Sequence, residues 1–193
     1  MQVELKWYTS NYKDIIIDLT QKWYPETKSE KLSSTEYKRL IRKFVRQRDS
    51  ILKTCVVYFT ISCPLFVHQD LRCKSKNFQN YAPNLDIDNL SFDVDDKFTD
   101  PQKSYLSCII KKIKKLELAE EQLIYFLPSC VLSECYIVFD FLELFEFFEM
   151  MSNYKCHPKI LELSENMYNI ILDVIPDIYS KQNLDIFLAS KES

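Results

Sequence analysis

The 193-residue chain contains no glycine. At the usual share of roughly 7%, about a dozen would be expected. Glycine is the residue that enters left-handed backbone without a steric penalty. Every turn that needs a positive φ must therefore use Asn or Asp, or be avoided. Phosphate-cradling loops of the G-x-G-x-x-G or Walker type are excluded outright.

The remaining composition is that of a globular protein. The chain is 47% hydrophobic and 27% charged, which separates it from disordered chains. Its length suits one domain, 1–193, with a sizeable core. A net charge of -3 argues against a general nucleic-acid binder but leaves room for a local basic face. The seven cysteines, at 55, 63, 73, 108, 130, 135 and 156, are odd in number and scattered, unlike a secreted disulfide framework. The chain opens with no charged-then-apolar leader and has no apolar run of membrane-spanning length. The expected setting is a reducing, cytoplasmic compartment with no membrane partner.

Periodicity predicts the order of elements. Val3, Leu5 and Trp7 alternate with polar residues over 1–9, as in a short strand. Ile15, Ile16, Leu19 and Trp23 give Tyr12–Trp23 helical spacing. Ser33 or Ser34 caps a helix running to about Gln47, with Tyr37, Leu40, Ile41, Phe44 and Val45 on one face. Cys55–Cys63 is β-rich and stops at Pro64, and Leu65–Leu71 suits a short helix. Residues 84–100 are acidic and turn-rich, a loop. Lys103–Phe126 is helical with a break near Leu116, followed by helices over Phe139–Met151 and Lys159–Ile175. The tail after Pro176 reads as a short or frayed helix.

Two ordered blocks carry a resemblance. The first runs Ser50-Ile51-Leu52-Lys53-Thr54-Cys55, then Val56–Ile61, Cys63-Pro64-Leu65-Phe66-Val67, Gln69, Arg72-Cys73-Lys74, Ser75, Asn77 and Asn80-Tyr81. The second runs Leu118-Ala119-Glu120-Glu121, Phe126-Leu127-Pro128, Ser133-Glu134-Cys135-Tyr136, Phe141–Met151 and on to Glu162. Their order and spacing resemble the flavin-dependent thymidylate synthases, the ThyX family, most strongly over 33–176. The resemblance implies an α/β domain of the α+β type, with an antiparallel-rich sheet flanked by helices. It also implies a homo-oligomer or larger protein assembly.

The resemblance further implies roles, and most of the chemistry that would fill them is replaced. Flavin-gripping positions read Gln47-Arg48, Lys53-Thr54 and Arg72-Cys73-Lys74. Arg48, Arg72 and Lys74 are thus the remnant of an FAD site, and Ser75, Asn77 and Asn80 the remnant of a nucleotide site. Asn80 stands where the family anchors the dUMP phosphate with arginine, and Ile124 replaces a second nucleotide-binding arginine. Met151 replaces the arginine that polarises the uracil, and Cys156-His157 replaces an Ala-Gln pair. Methionine cannot donate two hydrogen bonds to a base carbonyl. No catalytic residue is assigned and no cofactor is expected, FAD entering only if the ancestral site is retained. The sequence reading is a pseudoenzyme acting as a structural or binding subunit. The alternatives are an active flavin-dependent thymidylate synthase, a methyltransferase acting on dUMP, or a related flavin- or nucleotide-binding enzyme of altered specificity, and a subunit of a larger nucleic-acid-associated assembly.

Other signals are weaker. Cys73 between two cations suits a lowered thiol pKa. Cys63, His68 and Cys73, or Cys130 and Cys135 with Cys156-His157, contain metal-binding residue types without a zinc clip, so no metal is expected. Lys111–Lys115 reads as a solvated helix face, and Arg39, Arg42, Lys43 and Arg46 as a second basic face. Asp140, Glu143, Glu146 and Glu149 step along a helix as a water-facing stripe. The acids at 86, 88, 93, 95 and 96 lack the spacing of a calcium loop and read as solvated.

Overall fold

The computed structural model describes residues 1–24, 32–74, 90–94, 98–116, 118, 119, 122, 125–153 and 157–189. Three strands, β1 (Gln2–Tyr8), β2 (Val56–Pro64) and β3 (Leu132–Asp140), form one antiparallel sheet in the order β1-β2-β3. The helices are α1 (Tyr12–Trp23), α2 (Ser34–Gln47), α3 (Leu65–Lys74), α4 (Asp100–Lys114), α5 (Phe141–Asn153), α6 (Pro158–Val174), α7 (Pro176–Tyr179) and α8 (Lys181–Ala189), with a 3-10 turn at Ser50–Thr54. The α+β class read from the sequence is the class observed. No described helix is long and apolar enough to cross a membrane.

The chain divides into two compact units. The first comprises Met1–Gln2 and Thr60–Ile137, the second Val3–Phe59 and Val138–Ser193. In the first, Leu65, Ile110, Ile113, Leu127 and Val131 bury together, with Leu90, Phe92 and Ile109 against them. Leu65 N–H donates to the Val131 carbonyl at 2.9 Å, fixing the end of β2 beside β3. In the second, α2 turns Leu40, Ile41, Phe44 and Val45 inward. There they share a core class with Ile16, Ile51, Phe145, Tyr179 and Phe187, all fully buried.

Local chemistry sets the helix ends. Ser33 accepts from Glu36 N–H at 3.3 Å, while Glu36 Oε2 accepts from Ser33 N–H at 2.9 Å, a reciprocal capping box. At the other end of α2 the chain reverses through Arg48, at φ 50° and ψ 45°. It is the sole positive-φ residue among the described ones. Arg48 N–H donates to Val45 O at 3.3 Å and Asp49 N–H to Phe44 O at 3.0 Å. This is the Schellman closure that glycine usually serves, and it is taken here by an arginine, not by the Asn or Asp expected from the sequence. An arginine there carries a backbone cost of about 1–2 kcal/mol, so its side chain has to compensate.

Three expectations need correction. Residues 132–140 form β3, so α5 begins at Phe141 rather than Phe139. Asp140 Oδ1 accepts from Glu143 N–H at 2.7 Å, and Glu143 Oε2 from Asp140 N–H at 2.9 Å, so these acids cap α5. Glu149 is buried, so the four acids are not a solvated stripe. Of the two readings of the tail, the helical one holds over the described residues, Pro176–Tyr179 and Lys181–Ala189, where Tyr179 and Phe187 are fully buried. Of the acidic loop, Asp93 is half-buried, and its carboxylate lies 3.4 Å from the Met1 ammonium.

Three buried phenols of the second unit give an alkaline limit to stability. Burial pushes Tyr12, Tyr37 and Tyr179 up, reinforced at Tyr12 by the Asp177 carboxylate and at Tyr179 by Asp140. Each phenol ionises less readily folded than unfolded. The stability this represents is complete below the ordinary tyrosine pKa of about 10 and is lost as pH rises above it. The urea midpoint should fall steeply above about pH 10, and less steeply in Tyr37→Phe. A midpoint that stays flat well above that pH would contradict the burial of these hydroxyls.

Candidate functional site

The remnant flavin residues fall in different units and are taken separately. In the second unit Arg48 Nη2 lies 3.1 Å from Glu149 Oε1, whose side chain is 5% exposed. The same nitrogen approaches the Phe187 carbonyl oxygen at 3.5 Å. Arg48 Cζ sits 3.9 Å from the centroid of the Phe187 ring. The guanidinium therefore has a carboxylate partner and an aromatic platform, both within its own unit. Three elements converge on this arrangement: the end of α2, the last turns of α5, and α8.

Met151 lies two residues beyond Glu149 in α5 and is 2% exposed. Its thioether is core. The nearby aromatic cluster is continuous: Phe145 stacks on Tyr179 at 4.6 Å and on Phe187 at 5.0 Å between centroids. Phe148 meets Tyr168 edge-on at 5.4 Å. Lys53 and Thr54 belong to the 3-10 turn, where Thr54 Oγ1 donates to the Ile51 carbonyl at 2.7 Å.

In the first unit Arg72 and Cys73 are exposed near the end of α3. Lys74 closes that helix. Ser75, Asn77, Asn80, Ile124 and Cys156 lie outside the described residues. Cys63 on β2 is buried, as is His68 on α3, so neither shares the exposed setting of Cys73. Cys63 is instead close to Cys135 of β3. The neighbouring Cys63 thiol and then His68 draw the Cys135 thiol down, against the opposing effect of burial. The same contact and burial push Cys63 up. His68 Nε2 is buried without a partner among the described residues. Among those residues no three His, Cys, Asp or Glu side chains are placed to hold a metal ion.

The pattern of the thymidylate synthase complementing proteins matches residues 4–177. The chain belongs to this family. The thymidylate synthase complementing fold is also borne out by three-dimensional likeness. The crystal structure of a UMP/dUMP methylase PolB from Streptomyces cacaoi, bound with 5-Br dUMP, superposes with a TM-score of 0.66. The match covers 97% of this chain and 94% of that one, at 16% sequence identity. No curated protein matches by sequence. The family match extends further toward the start of the chain than the 33–176 span of the motif resemblance, taking in most of β1 and all of α1.

Within this member of the thymidylate synthase complementing family, motif reading picked out Arg48 but not its partners. Glu149 lies 101 positions away. Its three-residue step from Glu146 places it, by sequence alone, among the water-facing acids. Phe187 lies beyond the resemblance altogether. A sharper signal was available: Glu149 shares its face of α5 with Leu142 and Phe145, both buried, where an acid needs a cation.

Proposed function

We propose that this family member does not make thymidylate by the family route and serves as a non-catalytic binding or structural subunit. One observation carries the reading: the Arg48 guanidinium is paired with the buried Glu149 and stacked on Phe187. A flavin pyrophosphate needs cations whose charge is still available, so Arg48 fits that group poorly. The replacements at Asn80, Ile124 and Met151 point the same way. Losing one charged partner of a bound anion costs about 2–5 kcal/mol, and a transition-state donor is worth about 3 kcal/mol.

The test is turnover. Purified protein incubated with FAD, NADPH, dUMP and methylenetetrahydrofolate should form no dTMP above a protein-free control. Steady dTMP formation proportional to enzyme would sink the proposal. Assembly with its own copies or other proteins belongs to this reading, and light scattering would give the mass of the particle.

A second reading is favoured by the exposure of Arg72 at the end of α3. It keeps an enzyme of altered specificity, binding flavin or a nucleotide through Arg72, Lys74, Ser75 and Asn77, with Arg48 set aside because it is paired with Glu149. Yellow colour on purification or a thermal shift with dUMP would move the conclusion to it.

A further inference from the structure

The outward face of α2 is strongly cationic in a chain of net charge -3. Lys38, Arg39, Arg42, Lys43 and Arg46 are all exposed. At 100° per residue they occupy an arc of about 140° and extend about 12 Å along the helix. The only acid in α2 is Glu36, and its carboxylate is turned back onto Ser33. Among the described residues Lys38, Arg39 and Arg46 have no acidic partner. An unpaired same-sign face of this kind is self-repulsive, and a polyanion relieves it.

What borders the arc distinguishes it from a merely solvated face. On the side of Lys38 and Arg42 lies a cleft of about 260 Å³, also lined by Ser180, Gln182 and Asn183. Arg42 Nη2 donates to Gln182 Oε1 at 2.6 Å, which holds the guanidinium at the cleft. The one acid in the lining, Asp177, is engaged by Lys13 and by the Tyr12 hydroxyl. On the side of Lys43 lies Tyr24, with the ammonium 5.2 Å from its ring centroid. Tyr24 is 36% exposed, and Trp23, just before it in the chain, is 51% exposed. Aromatic rings beside a cationic track are the two components of single-strand recognition: phosphates follow the charge and bases stack on the rings.

We infer that the α2 face, from the Lys38–Arg42 cleft to the Trp23-Tyr24 aromatics, is a binding surface for single-stranded nucleic acid. This goes beyond the non-catalytic reading and does not depend on it, since none of these residues belongs to the remnant flavin or nucleotide positions. The arc is long enough for about three phosphates, which sets a salt dependence of log K on log salt near -2.

The experiment is fluorescence anisotropy with a labelled oligothymidylate of roughly 20 nucleotides, titrated from about 20 to 300 mM salt. Wild-type protein should bind with that slope. Arg39→Ala with Arg46→Ala should weaken binding and reduce the slope by about 1.4. Trp23→Ala should weaken binding about tenfold with the slope unchanged. Melting curves of the variants establish that they are folded, and the Arg39 and Arg46 side chains are exposed. No binding at the lowest salt, or binding indifferent to the α2 variants, overturns the inference. So does equal affinity for duplex of the same length. Displacement by polyglutamate, together with indifference to Trp23→Ala, would assign the face to an acidic protein instead.

Discussion

Replacing Phe145 with alanine is expected to destabilise the protein by about 3–5 kcal/mol, the usual range for a buried aromatic truncated to a methyl group. Phe145 is fully buried and stacks on both Tyr179 and Phe187. Each aromatic contact adds about 0.5–1.5 kcal/mol beyond area. Tyr179 cannot move in to fill the space, because its hydroxyl is tied to the Phe141 carbonyl at 2.8 Å. Both tryptophans, Trp7 and Trp23, lie in the same unit as Phe145, so fluorescence in urea reports the relevant transition. A loss below about 1 kcal/mol would contradict this packing.

Arg48→Met should cost about 3 kcal/mol, because it leaves the buried Glu149 carboxylate without this cation. The figure sits at the low end of the range for buried pairs because the Arg48 side chain is 25% exposed and partly screened. Methionine occupies the same left-handed backbone, so that contribution is common to both proteins. Combining Arg48→Met with Glu149→Leu should recover much of the loss, since an apolar pair replaces an ion pair at little cost. If the double variant is as unstable as the sum of the singles, the two side chains are not coupled.

These two predictions draw on residues of very different legibility. The start of α2 is written locally: Ser33 followed three residues later by Glu36 is a capping signature, and the helix starts there. The aromatic cluster was legible only in part, since Phe141, Leu144, Phe145 and Phe148 have helical spacing but their contacts with Tyr179 and Phe187 come from the tail. Strand β3 was hidden by the apolar run into α5. Its own alternation, with Ser133, Cys135, Ile137 and Phe139 buried and Tyr136 and Val138 exposed, was the signal. The Asp140–Glu143 box then marked the boundary. The Arg48–Glu149 pair was not legible, because no local period links residues 101 apart. The Cys63–Cys135 contact likewise depends on strand neighbours, which chain spacing does not reveal.

The buried place of Phe187 has a consequence for synthesis on the ribosome. The second unit draws on residues before 60 and after 137, whereas nearly all of the first is one uninterrupted stretch between them. Domains tend to fold as they emerge. The stretch between has all its parts early. Helices α1 and α2 must wait, with Phe44 and Ile41 uncovered, until translation delivers the aromatic peg of α8. A ribosome that stalls before that point would hold a nascent chain whose α1 and α2 apolar faces are still in water, a natural client for a chaperone.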